Sequence, residues 1–159
     1  MPIPFGYAVD FELRSSRVES TQLAQSSEMA GWLTVWGQPQ LPEAGAAHME
    51  WMSEGGTHPH SNGEGGTTTG AVRRMPGMAT SDELNRLRTL TGKELDVFFL
   101  QLMLRHHEGG LEMAEYAADH AQHGYARNLA SKIVQSQGNE SDMMKTYLAE
   151  RGAQPLPFR

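Results

Sequence analysis

From Thr91 to Gly152 apolar residues recur at the three-and-four spacing of helices that bury one side. Two neighbouring stripes run through GKELDVFFLQLMLRHHEGGLEMAEYAADH. One holds Leu95, Phe99, Leu102, His106, Gly109, Met113 and Ala117, and the other Asp96, Leu100, Met103, His107, Gly110, Ala114 and Ala118. Each histidine continues an apolar stripe, so both are expected on the buried side. The opposite face carries Arg105, Glu108, Glu112, Glu115 and Asp119, which reads as solvated charge. Thr91 followed by Glu94 predicts a capping box at the start of this helix, and its pattern ends near His123 and Gly124.

A further helix follows in YARNLASKIVQSQGNESDMMKTYLAERG, with Leu129, Ile133, Gln137, Glu140, Met144 and Leu148 as its inward seam and Gly152 as its stop. A tight turn near Gly124 makes the two helices antiparallel neighbours. His106 and His107 lie about 17 residues before that turn, and Gln137 and Glu140 about 13 to 16 after it. At ~1.5 Å per residue the two pairs share one height, so the histidines are expected to face Gln137 and Glu140. Met103 and Met144 are expected to meet one helical turn deeper.

Upstream, Leu13, Val18, Leu23, Met29, Trp32, Leu33 and Trp36 predict a helix over about 10–36, stopped by Gly37 and Pro39. Residues 37–80 form a long loop rich in glycine, which includes SEGGTHPHSNGEGGTTTG. Thr80 with Glu83 is a second capping box, opening a short helix, so that three helices fall within about 81–151. The expected fold is all-α: an antiparallel bundle of three long helices and a short one, in a single domain spanning 1–159. A weak repeat runs through it. Gln22, Gln25, Met29, Trp32, Leu33 and Gly37 match Gln137, Glu140, Met144, Tyr147, Leu148 and Gly152 at one constant offset. The first helix is thus expected to be a copy of the last, without the histidine helix that would complete its own hairpin.

Composition narrows the chemistry. A chain of 159 residues with net charge −6 has no basic run, which argues against a nucleic-acid surface. The absence of cysteine excludes disulfides, thiolate metal sites and cysteine nucleophiles. Ten methionines and seven histidines leave thioether and imidazole as the soft donors, a pair suited to copper. No stretch reaches the ~18 to 20 apolar residues of a membrane span, and MPIPFGYAVDFELRSS shows no signal-peptide pattern.

Met103 stands three residues before His106 and four before His107, so one side of the helix can present a thioether and an imidazole to one point. The competing reading is a hydrogen-bonded polar layer, with both histidines paired to Gln137 and Glu140 and no metal. Catalytic readings fit less well. No glutamate has a histidine three residues on, as a di-iron bundle site requires, and His107-Glu108 is not followed by the second histidine of a zinc-protease motif. Neither a GxSxG elbow nor a cysteine offers a nucleophile. Weaker metal candidates are His120 and His123 near the helix end, His48, Met49 and Met52 in HMEWM, His58 and His60 in THPH, and Met75 and Met78 in RMPGM.

The runs MPGMAT, GKELDVFFLQLMLRHHEGGLEMAEYA and LASKIVQSQGNESDMMKTYL resemble the domain-of-unknown-function 305 family of bacterial, usually exported, helical proteins. The pattern of Phe99, Met103, His106, His107, Met113 and Ala114 carries the likeness, and GWLTVWG resembles the end of the first repeat in two-repeat members. The resemblance implies a ferritin-like four-helix bundle, a secreted or cell-envelope location, and, as in some members, copper binding without catalysis. Its implied ligand zone is Met103, His106, His107 and Met113, with Met75 and Met78 nearby. Gln137, Glu140 and Met144 then stand behind the ligands and orient them. The expected role is copper sequestration or tolerance, with a metal ion as partner and a homodimer supplying the missing helix. The alternatives are a structural or interaction module with a metal-free histidine layer, and a metal-dependent oxidoreductase.

Overall fold

The computed structural model describes residues 5–41 and 75–157, over 5–15 as backbone alone. Within them lie four helices and no strand: α1 (Phe5–Val35), α2 (Ser81–Thr89), α3 (Gly92–His120) and α4 (Gly124–Glu150). None is long and apolar enough to cross a membrane. The chain divides into two compact units, Met1–Ala44 and Gly45–Arg159. In the first, α1 begins about five residues earlier than the apolar pattern indicates, because FGYAVDFELRSS contains no proline and its one glycine falls in the first turn.

In the second unit α3 and α4 form an antiparallel hairpin. Asp96 meets Arg151 just past α4 (3.5 Å) while His107 meets Glu140 (2.7 Å), so the end of α4 lies beside the start of α3, and Glu108 meets Lys145 (3.2 Å). The core between them is Phe98, Leu100, Leu102, Leu104 and Ala114 from α3 with Leu129, Ala130, Met144 and Leu148 from α4. Arg127 closes the connecting turn by donating to the carbonyls of Ala121 (2.6 Å) and Gln122 (3.0 Å). These carbonyls lie just beyond the last turn of α3, where a cation is favoured.

The Thr80–Glu83 capping box forms in both directions: the Glu83 amide donates to Thr80 Oγ1 (3.0 Å) and the Thr80 amide to the Glu83 carboxylate (2.8 Å). The expected box at Thr91 does not form. Thr91 is the N-cap of α3, but its side chain makes no capping hydrogen bond. Helix α2 buries none of its own residues. It is held to α3 by polar anchors, one being the Arg86 guanidinium 4.3 Å from the centre of the Phe98 ring. Arg86→Ala is expected to cost about 1 kcal/mol, read as a shift of the urea midpoint, with Arg86→Lys recovering part of it.

The repeat seen in the sequence extends to backbone geometry. At the end of α1 the Gln38 amide donates to the Leu33 carbonyl (2.8 Å) and Gly37 to Thr34 (3.1 Å), with Gly37 at φ +62°. At the end of α4 the Ala153 amide donates to Leu148 (2.9 Å) and Gly152 to Ala149 (2.9 Å), with Gly152 at φ +67°. Both are Schellman closures, and every residue of one matches the other at the offset of the repeat. The seams differ in burial: Met144 and Leu148 are buried, whereas the matching Met29 is 41 % exposed.

Candidate functional site

The two adjacent histidines part company. His107 is fully buried and His106 lies at the surface, so only one of them continues an apolar stripe into the core. Successive helical residues point about 100° apart, and a boundary between two stripes is also a boundary between core and solvent. The rings stand edge to face with centroids 6.3 Å apart.

Both ring nitrogens of His107 meet acceptors. Nδ1 lies 3.2 Å from the Met103 carbonyl, and Nε2 lies 2.7 Å from the Glu140 carboxylate. With its nitrogens so engaged, His107 anchors α3 to α4.

His106 has neither a hydrogen bond nor an ion pair among the described residues. Its imidazole is held below its ordinary pKa, first by partial burial and then by the neighbouring His107. The turn Met75-Pro76-Gly77-Met78 packs on the helix backbone at this position and is closed by the Met78 amide donating to the Met75 carbonyl (3.3 Å). Gly77 has φ +82°, as the third position of a type II turn requires. A Cβ at Gly77 would run into the Arg105 carbonyl and stand 3.0 Å from the His106 carbonyl and 3.1 Å from its Cα. A Cβ at Gly109 would run into the Pro76 carbonyl. Two glycines thus bring the backbones of turn and helix together over one helical turn. The approach places Met75 and Met78 on either side of a residue that touches His106.

Arg105 stands beside this contact and corrects the reading of it as solvated charge. It is only 7 % exposed and binds the Glu83 carboxylate with two hydrogen bonds, 2.9 and 2.7 Å. The Arg105 guanidinium, with the Thr80 amide, lowers the Glu83 pKa to about 2. The segment from Met75 to Glu83 is therefore fastened to α3 at both ends, through Gly77 and Gly109 at one and Glu83 at the other. The sequence signal for this is the Gly109-Gly110 pair in the middle of a long helix, which marks a close approach.

The remaining candidates are dispersed. Met103 and Met113 are half-buried on α3, and Met144 is buried on α4. Gln137 lies over Gly110, whose Cβ would stand 2.9 Å from the amide oxygen; that oxygen is buried and lacks a hydrogen-bond partner. At the far end of the hairpin His120 donates to the Tyr116 carbonyl (3.0 Å) and stacks on that ring (4.1 Å), while His123, the N-cap of α4, stacks on Tyr125 (5.1 Å). His48, Met49, Met52, His58 and His60 lie outside the described residues. Among the described residues no three His, Asp or Glu side chains gather to hold a metal.

The model of the family described as domain of unknown function (DUF305) matches residues 10–148. The fold is similar to the crystal structure of a DUF305 protein from Streptomyces coelicolor that is described as secreted, with a TM-score of 0.74 and 34 % identity. The likeness covers 93 % of this chain and 78 % of that one. A search of curated proteins gave no match.

Proposed function

The chain belongs to the DUF305 family, and on that premise we propose that it binds a metal ion without catalysis, copper being the ion and His106 the imidazole donor. The observation that carries this reading is His106 itself, an exposed imidazole with no hydrogen-bond partner among the described residues, its pKa lowered by partial burial and by His107, on a helical turn whose backbone the Met75–Met78 turn packs against. Met103, one helical turn earlier, adds a thioether on the same side. One imidazole with thioethers is a soft donor set that suits reduced copper and suits magnesium, calcium or zinc poorly. His107 and Glu140 support α3 from behind, and Met113 extends the thioether supply along the helix. The sequestered ion would be shielded by the turn, and its release needs no reacting side chain.

Three finer elements belong to the same proposal. They are a copper-tolerance role, a location outside the cytoplasm, supported by the likeness to a secreted Streptomyces protein, and a second copy of the chain completing a ferritin-like bundle beside α1. A second reading has its own support: His107 and Glu140 satisfy each other within the protein, as a purely structural histidine layer would.

Titration of the metal-free protein with copper under reducing conditions, against a competing chelator, separates the two readings. His106→Ala is expected to weaken binding at least tenfold, by analogy with losses at supporting residues of metal sites. Equal affinity of the two proteins would leave the structural reading standing. Oxygen consumption by the copper-loaded protein with an electron donor would favour the oxidoreductase alternative instead.

A further inference from the structure

The Met75–Glu83 segment does more than pack on the backbone at His106: we infer that it is a strap that sets the affinity and softness of the site, with Glu83 as its positioning residue. This inference rests on His106 as a donor. Three contacts fasten the strap along one turn of α3, and all of them flank His106. Gly77 sits on the carbonyls of Arg105 and His106, the Pro76 carbonyl sits on Gly109, and Glu83 grips the Arg105 guanidinium at 2.7 and 2.9 Å. The Thr80–Glu83 capping box joins the last contact to the turn, because the same carboxylate that holds Arg105 also accepts from the Thr80 amide. Glu83 therefore ties helix α2, the turn and α3 together through one side chain.

With the strap seated, Met75 and Met78 stand on either side of Gly77, which packs on the His106 backbone, and their thioethers would add to that of Met103. With it lifted, only Met103 and His106 remain on α3. The seated site is rich in soft donors and prefers a monovalent ion of the copper(I) or silver(I) kind. The lifted site loses that preference along with most of its affinity for soft ions. A carboxylate that is not itself a ligand would then govern which ion binds.

The test uses competition titrations with copper(I), silver(I) and zinc(II) on the full chain and on Glu83→Gln, His106→Ala, Met75→Leu/Met78→Leu, and the triple combination of Glu83→Gln with both leucine changes. Glu83→Gln is expected to weaken copper(I) and silver(I) about tenfold or more while leaving zinc(II) unchanged, and to add nothing once Met75 and Met78 are leucine. Peroxide oxidation of Met75 in the metal-free protein, followed by mass spectrometry, should accelerate in Glu83→Gln even where metal affinity is too weak to measure. If His106→Ala weakens copper(I) but Glu83→Gln does not, or if Glu83→Gln costs the same with and without the two methionines, the strap has no such role. If His106→Ala binds copper(I) as the unmodified chain does, the site itself is wrong and the inference falls with it.

Discussion

Glu83→Ala is expected to destabilise the second unit by about 4 kcal/mol in urea unfolding, far more than an exchange at a partly exposed acidic residue usually costs. Two losses combine. The Arg105 guanidinium is left buried without its two acceptors, and breaking such a pair from one side costs about 3–5 kcal/mol where desolvation is complete. The Thr80 amide also loses its carboxylate acceptor, while the residue-83 amide still donates to Thr80 Oγ1, which adds about 0.5 kcal/mol. Some of the sum is recovered because Glu83 is 25 % exposed and water reaches part of the gap. Arg105→Ala should be milder, since the remaining carboxylate keeps its amide partner at Thr80 and has access to solvent. Acid gives an independent check. The Glu83 pKa is depressed from 4.5 to about 2 in the folded chain, so its contribution is complete above about pH 5 and is lost as pH falls from there towards 2. After allowance for solvent screening this limb is worth on the order of 2 kcal/mol. Glu83→Gln should flatten it, and an unchanged acid limb in that variant would show that Glu83 does not carry it.

The antiparallel pairing of α3 and α4 was legible in the sequence, because helix rise and a tight turn fix which residues share a height. His107 and Glu140 meet at the depth that this count requires. Burial on the two stripes was less legible. Residues 106 and 107 have the same chemistry and adjacent positions, and nothing local says which of them is buried and meets Glu140. Arg105 was misread for a related reason. A charge on the outer face of one helix is solvated only if no other element packs there, and α2 arrives through a contact 22 residues away in the chain. The glycines at 77 and 109 mark that arrival, but each is open to several readings until its partner is known. The repeat between α1 and α4 was visible in side chains, and the shared Schellman closure adds a backbone signature that side-chain matching does not contain.

Glu140→Leu should cost about 3–4 kcal/mol, and adding His107→Leu should restore about 2 of them. The asymmetry follows from burial. His107 is completely enclosed, so removing Glu140 takes away the carboxylate that Nε2 meets at 2.7 Å while the ring stays buried. His107→Leu alone leaves a carboxylate that is 15 % exposed and can turn towards solvent, so about 1–2 kcal/mol is expected. With both replaced, two apolar side chains of suitable volume fill the space and no polar atom is orphaned, a change that is often neutral for buried ion pairs. Simple additivity of the two single changes would mean that they act through packing and not through the bond between them. The same double variant bears on function. If His107 and Glu140 only hold α3 against α4, their joint replacement should leave copper(I) affinity at His106 within about threefold of the original. A loss as large as that of His106→Ala would make His107 part of the metal site and require its Nε2 to leave Glu140 when the ion binds.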